Sequence, residues 1–326
     1  MKTERAFYYW KSNFSLDEYE KQSVLQLKVS KLYIKFFDVT WTDQQESAVP
    51  AARIEFDPKS IEWVKSRSLE IIPTVFITNE TLVKLSISDT RRLASKILQL
   101  TRSILKENNV SAKSELQIDC DWTQTTKERY FKLLNDIKGD SLFGFQALSA
   151  TIRLYQCKYK NKTGIPPVSR GLLMCYNMGN LRDPATVNSI LETSEAEKYI
   201  GSLNEYPLPL DIALPLFEWK VIFRNGVYYG LSQEMRSDIL NDPDAFIKKD
   251  NTYHCRLDTL LNGFNFRTGD LVRDERSEYN QIVETAKSVR GKLNTKNVTV
   301  SLYHLDSTTI AKYTQNELEN IYNSIH

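Results

Sequence analysis

Eight short β-rich runs, separated by stretches of helical periodicity, constrain what this chain can fold into more than any other feature. They are "RAFYYW" (5–10), "KLYIKFFDV" (31–39), "EIIPTVFIT" (70–78), "ELQIDCDW" (115–122), "ALSATIRLY" (147–155), "RGLLMCYNM" (170–178), "LPLDIALPLF" (208–217) and "VTVSLYHLD" (298–306). Strands that alternate with helices pair in parallel through crossovers, and eight such units are the number that closes a (β/α)8 TIM barrel. The expected organisation is one barrel domain over residues 1–326.

The intervening segments carry helix signals. "SLDEYEKQSVLQLKV" opens with Ser15 and has Glu18 three residues later, the pattern of a capping box. "SDTRRLASKILQLTRSILKENN", "TTKERYFKLLNDIK" and "DERSEYNQIVETAKSVRGKL" repeat apolar residues at helical spacing, the first starting at Ser88 or Asp89. One interval breaks the rhythm: about eighty residues separate the seventh and eighth strands, where a βαβ unit needs roughly thirty. It contains "EWKVIFRNGVYYGLS", in which Asn225 and Gly226 suit a tight hairpin turn, and "GFNFRTGDLVR" with Gly269 and Asp270 as a second turn. A small β-rich insertion on the barrel rim is expected over about 219–272.

Composition excludes several classes of partner. The 43 basic and 41 acidic residues are spread along the chain and leave a net charge of +2, so no electrostatic footprint for nucleic acid is expected. No apolar run is long enough to span a bilayer, and "MKTERAFYYW" lacks the apolar core of a secretion signal. The compartment stays open, since an exported protein whose leader had been removed would read the same way. Cys120, Cys157, Cys175 and Cys255 form no CxxC pair and read as buried free thiols, while His254 and His304 are too isolated for a metal site. No metal or cofactor is expected. The Gly-x-Ser-x-Gly elbow and the HExxH motif are absent.

In a parallel barrel, function gathers at the C-terminal strand ends. Those positions are Trp10; Asp38 and Trp41; Asn79 and Glu80; Asp121 and Trp122; Arg153 and Tyr155; Tyr176 and Asn177; Glu218 and Trp219; His304 and Asp306. Four of the five tryptophans fall among them, with Trp63 on a helix. Flat aromatic faces suit sugar rings, and carboxylates and amides suit hydroxyls and the glycosidic oxygen, although tryptophans also cap cores. Asp119 and Asp121 are two apart on the fourth strand and share a face, opposite Ile118 and Cys120. With the apolar pair under the helices, the aspartates point into the barrel. Two enclosed carboxylates must be hydrogen-bonded or share a proton, the condition of many acid–base sites. Ser149, Thr151 and Tyr176 are candidate partners if the pair is structural instead.

At these residues the chain resembles glycoside hydrolase family 18, the chitinase-like barrels. "IDCDWT" is similar to its fourth-strand motif D-x-x-D-x-D-x-E, "LLMCYNMG" to its M-x-Y-D and "ALPLFEW" to its G-x-P-F-Y-G. The fourth strand also resembles that of an uncharacterised group of bacterial barrels carrying Q-[LI]-D-x-D. The family resemblance implies a small insertion after the seventh strand and places Asp119 and Asp121 on the last two motif aspartates. It places Met174, Tyr176 and Asn177 on M-x-Y-D, and Pro215 and Phe217 on the seventh-strand pattern. It also implies two departures: Leu116 stands at the first aspartate, and Thr123 stands where the family has the glutamic acid that protonates the leaving oxygen. A threonine hydroxyl is far too weak an acid for that role.

The leading expectation is therefore a carbohydrate-active barrel hydrolysing glycosidic bonds in an oligosaccharide or polysaccharide. Asp121 is its acid–base, Asp119 its electrostatic partner and Glu218 a possible second carboxylate, although Phe217 rather than Glu218 shares the inward register of Pro215. Trp10, Asp38, Trp41, Trp122, Arg153, Tyr155, Tyr176, Asn177, Trp219 and Asp306 are the expected substrate contacts. The alternative is a non-catalytic glycan-binding barrel in which Thr123 marks the lost acid.

Overall fold

The computed structural model describes residues 2–261 and 263–325. Eight strands form the barrel: β1 (Lys2–Tyr9), β2 (Lys31–Thr42), β3 (Glu70–Ile77), β4 (Glu115–Cys120), β5 (Ala147–Arg153), β6 (Arg170–Met174), β7 (Leu210–Pro215) and β8 (Asn297–Tyr303). Each is parallel to the next, and β1 pairs with both β2 and β8, which closes the cylinder. Helices α1 (Glu18–Gln26), α2 (Pro58–Ser66), α3 (Thr90–Glu107), α4 (Lys127–Gly139), α5 (Leu154–Lys158), α6 (Thr193–Ile200), α7 (Tyr279–Arg290) and α8 (Gln315–Asn323) follow the strands in turn.

Alternation along β4 shows how the layers form. Ile118 and Cys120 are buried against α4, where the Tyr130 hydroxyl donates to the Ile118 carbonyl at 3.2 Å. Glu115, Gln117 and Asp119 point the other way, into the barrel. The Gln117 carboxamide oxygen accepts from Tyr8 of β1 and, at 3.4 Å, from Thr74 of β3, so the middle of the barrel is tied together across its axis. Outside, α3 buries Leu93, Ala94, Ile97, Leu98 and Ile104 on one face, the stripe that its helical periodicity dictates.

Three local expectations change. The capping box of α1 is built by Asp17 and Glu20, not Ser15 and Glu18: the Asp17 carboxylate accepts from the Glu20 amide at 2.8 Å. Ser15 lies two residues before the N-cap, and its amide donates to the Tyr9 hydroxyl at 3.1 Å instead. β2 runs beyond residue 39 and turns back as an antiparallel strand, Ser47–Ala51. The rim insertion is wider than 219–272, since its first strand starts at Glu218 and its last ends at Arg276.

That insertion is an antiparallel five-stranded sheet whose first hairpin turns at Asn225 and Gly226, with φ of 51° and 74°. Its own small apolar cluster includes Ile222, Met235, Phe246, Tyr253, Phe266 and Val272. The four cysteines are buried free thiols. No helix among the described residues is long and apolar enough to cross a membrane.

Candidate functional site at the barrel mouth

The C-terminal ends of the barrel strands surround a cavity of 160 Å3. β1 leads into Trp10, β3 supplies Phe76, β4 leads from Asp119 to Asp121, and β5 supplies Arg153. Met174, Tyr176 and Asn177 come from β6 and its exit, Phe217 and Trp219 follow β7, Tyr303 ends β8, and Gln233 reaches in from the insertion. The walls are aromatic and mutually packed: Tyr303 lies 5.8 Å from Trp10 and 5.5 Å from both Tyr176 and Phe217, centroid to centroid. Trp219 is held by its indole N–H, which donates to Glu275 Oε2 at 2.6 Å; the same oxygen accepts from the Ser189 hydroxyl and amide.

Asp119 lies on the floor. It is only 9% exposed, and the Thr151 hydroxyl donates to its Oδ1 at 2.5 Å. Burial, reinforced by the charge of Asp121, pushes its carboxyl up to about 7, while the Thr151 bond pulls the other way. Asp121 stands higher, 38% exposed, in an ion pair with Arg153. Burial raises its carboxyl too, and the Arg153 guanidinium opposes that shift. At neutral pH the pair therefore retains a proton for part of the time.

Asp121, Arg153, Tyr176 and Asn177 also line a second, larger cavity of 520 Å3. It extends over Thr123 and Gln124 towards Tyr155, Lys162 and Tyr199. The two cavities share a wall and open on the same face.

Other expected site residues lie elsewhere. Glu218 begins the insertion sheet and lines a separate 520 Å3 cavity with Arg236, Arg276 and Lys312. Its carboxylate faces Lys312 at 3.1 Å, Lys220 at 3.4 Å and Arg276 at 3.8 Å. The parity of β7 is the reason: Phe217 takes the inward place and Glu218 turns away. Trp122 is 2% exposed, stacked 5.0 Å from Tyr130, with its indole N–H donating to the Thr163 carbonyl at 3.0 Å. It belongs to the lining of the larger cavity, but Tyr130 stacks on its ring and almost none of the side chain is exposed. Trp41 sits on the β2 hairpin, bonded to Asp43 at 3.0 Å. Asp38 pairs with Lys35, whose ammonium lies 5.5 Å from the Trp10 ring. Asp306 caps the short helix Ser307–Ile310 and pairs with Lys11. Tyr155 keeps a place, in the larger cavity, 51% exposed.

Sequence reasoning passed over Tyr303, Phe76 and Gln233. The first two lie at their strand ends and could have been found by shortening each predicted strand by a residue or more; Gln233 sits in a loop with no signal of its own.

Solved structures of the same architecture cover nearly the whole chain. The Bacillus cereus spore cortex-lytic enzyme SleL is 13% identical with a TM-score of 0.57, over 99% of this chain and 74% of that one. A chitinase from Cycas revoluta in complex with (GlcNAc)3 is 12% identical with a TM-score of 0.55, over 98% and 99%. The chitinase-like agglutinin of Robinia pseudoacacia is 11% identical with a TM-score of 0.55, over 98% and 99%. The chain has the TIM-barrel fold of these chitinase-like structures. No family model and no curated protein matches its sequence.

At the position after Trp122, where the sequence resemblance led to an acid being expected, the chain has Thr123. Thr123 is exposed, and its hydroxyl is engaged with Thr125 at 2.9 Å and Thr126 at 3.3 Å. Its carbonyl accepts from the Thr126 and Lys127 amides at the entry to α4, and its hydroxyl offers no acidic proton.

Proposed function

We propose that the barrel mouth binds a carbohydrate, with one sugar ring in the smaller cavity and the adjoining units in the larger one. The observation that carries this reading is the 160 Å3 cavity itself, where Trp10, Tyr176, Trp219 and Tyr303 surround two carboxylates and the Asn177 and Gln233 amides. Apolar ring faces meet the aromatic walls, and the few convergent polar groups take the hydroxyls. The agglutinin and the sugar-bound chitinase of like fold support it.

A second reading, hydrolysis, is favoured by one observation: the Asp119 carboxyl pushed up to about 7 beside Asp121. Such a pair holds a proton near neutral pH, as an acid catalyst must. Against it stand the Arg153 ion pair on Asp121, the turned-away Glu218 and the hydroxyl at Thr123. Binding is the stronger reading.

The test is a titration of chitooligosaccharides and other neutral glycans against wild type, Trp10→Ala and Asp121→Asn, with products assayed in parallel. Wild type binds at least one glycan, and Trp10→Ala weakens it by about tenfold or more, the effect of removing an aromatic anchor. A wild type that binds none overturns the proposal. Turnover by wild type that vanishes in Asp121→Asn, with binding kept, establishes hydrolysis; no turnover on any bound glycan removes it.

A further inference from the structure

The larger cavity has a charge character that the smaller one lacks. Among the described residues its lining carries Asp121, Arg153 and Lys162 and no further charged side chain. Asp121 and Arg153 neutralise one another. Lys162 has no ion-pair partner among the described residues; its ammonium rests 5.8 Å from the Tyr159 ring. Lys158 stands behind it in the same condition, 5.1 Å from the Tyr199 ring and 5.5 Å from that of Tyr159. Lys160, between them in sequence, is the one that pairs, with Glu205 at 3.0 Å.

The segment bearing these lysines is held in place. Trp122 donates to the Thr163 carbonyl at 3.0 Å, Lys127 donates to the Lys162 carbonyl at 3.0 Å, and the Thr163 hydroxyl donates to the Gln156 carbonyl at 3.1 Å. Gly164 closes it at φ 75°, where a β-carbon would come within 2.6 Å of the Phe131 ring. Beside it, Tyr155 is exposed and packs 4.7 Å from Tyr159 and 6.4 Å from Tyr199. A fixed aromatic surface with two unpaired ammonium groups at its edge suits a ring that carries a negative charge.

We infer that the larger cavity selects an acidic saccharide, with Tyr155 and Tyr199 against a sugar ring and Lys162, backed by Lys158, facing its carboxylate. This rests on the proposed glycan binding and names the substrate class for the same site. Arg153 is excluded from the role because Asp121 already holds it.

The experiment compares two tetrasaccharides by calorimetric titration: chitotetraose, which is neutral, and a hyaluronan tetrasaccharide, whose alternate rings carry carboxylates. Wild type prefers the charged ligand by about tenfold at low salt, and the preference shrinks as salt screens the exposed ammonium groups. The Lys158→Ala, Lys162→Ala double variant brings the ratio of affinities close to one, and Lys162→Glu reverses the order. Both positions are exposed, so folding is not at stake, and a thermal melt checks it. Equal affinities in wild type, or a preference that survives both variants, overturn the inference while leaving glycan binding intact. Failure of both ligands, and of every neutral glycan tried, overturns the two readings together.

Discussion

The two ends of the barrel interior each hold a carboxyl group pushed up to about 7 by burial, Asp119 at the mouth and Asp211 at the base. Their surroundings differ. Asp211 is 1% exposed, accepts from the Thr299 amide at 2.6 Å and meets the Arg170 guanidinium at 2.9 Å, so each oxygen has a fixed partner. Nearby, Glu115 accepts from the Ser149 hydroxyl at 2.5 Å in a closed layer. Asp119 has one fixed partner, Thr151, and otherwise faces a cavity and a second carboxylate. A perturbed carboxyl is thus no mark of a site by itself. Both carboxyls feel a like charge, Asp121 at the mouth and Glu115 at the base, so what separates the two ends is the cavity beside Asp119.

If the base is structural, breaking it should cost the most. Asp211→Ala removes the Arg170 partner and leaves the Thr299 amide unsatisfied. Unpairing a buried ion typically costs roughly 3–5 kcal/mol, and the one-third exposure of Arg170 puts this case near the lower end, about 3 kcal/mol. Urea unfolding measures it, and glycan affinity should not move. A stable variant with altered binding would erase the distinction between the ends.

The second test follows the proton. The folded-state carboxyl of Asp119 is raised above its unfolded value, near 4 for a free aspartate, so folding takes up a proton between those values. Its stabilising contribution is complete below pH ~4 and is lost as the pH rises through about 7. Asp119→Asn, which cannot ionise, escapes that loss. Relative to wild type it gains stability on going from pH 5 to pH 7.5, by roughly 2 kcal/mol. Parallel urea titrations at the two pH values read the difference; an equal effect at both means that the Asp119 carboxyl is not raised at all.

Much of this was legible in the residues before any coordinates. Eight runs of β-rich sequence predicted eight barrel strands because burial on both faces demands β-branched and aromatic residues, and the long seventh interval predicted the insertion. The inward parity of Asp119 followed from the apolar character of Ile118 and Cys120. What did not follow was where each strand stops. The predicted runs reached Trp122, Met178 and Asp306, whereas β4, β6 and β8 end at Cys120, Met174 and Tyr303. Beyond those points the two-residue alternation lapses, so Trp122 drops beneath the loop it anchors and Asp306 becomes a helix cap. Glu218 failed for a related reason: it opens a new sheet whose direction belongs to the insertion. Nothing in the sequence singled out the lysines at 158 and 162, because only the fold sets them beside Tyr199 and the larger cavity.

The finest distinction between the two ends lies in the Thr151 hydroxyl, the one hydrogen-bond partner of Asp119 among the described residues. That bond lowers the Asp119 carboxyl against the pull of burial. Thr151→Val deletes the donor and keeps the side chain's branched shape, at a cost of about 1 kcal/mol where the carboxylate is ionised. The carboxyl then rises further, because nothing else in the floor donates to it among the described residues. The loss should be larger at pH 8 than at pH 5, since a protonated acid at pH 5 depends less on a donor. The same deletion at the base, Ser149→Ala opposite Glu115, leaves the mouth untouched, since Glu115 lines neither mouth cavity. Thr151→Val, by contrast, should shift the pH at which ligand affinity changes. A shift of that midpoint with Ser149→Ala but not with Thr151→Val would place the responsive proton at the wrong end of the barrel.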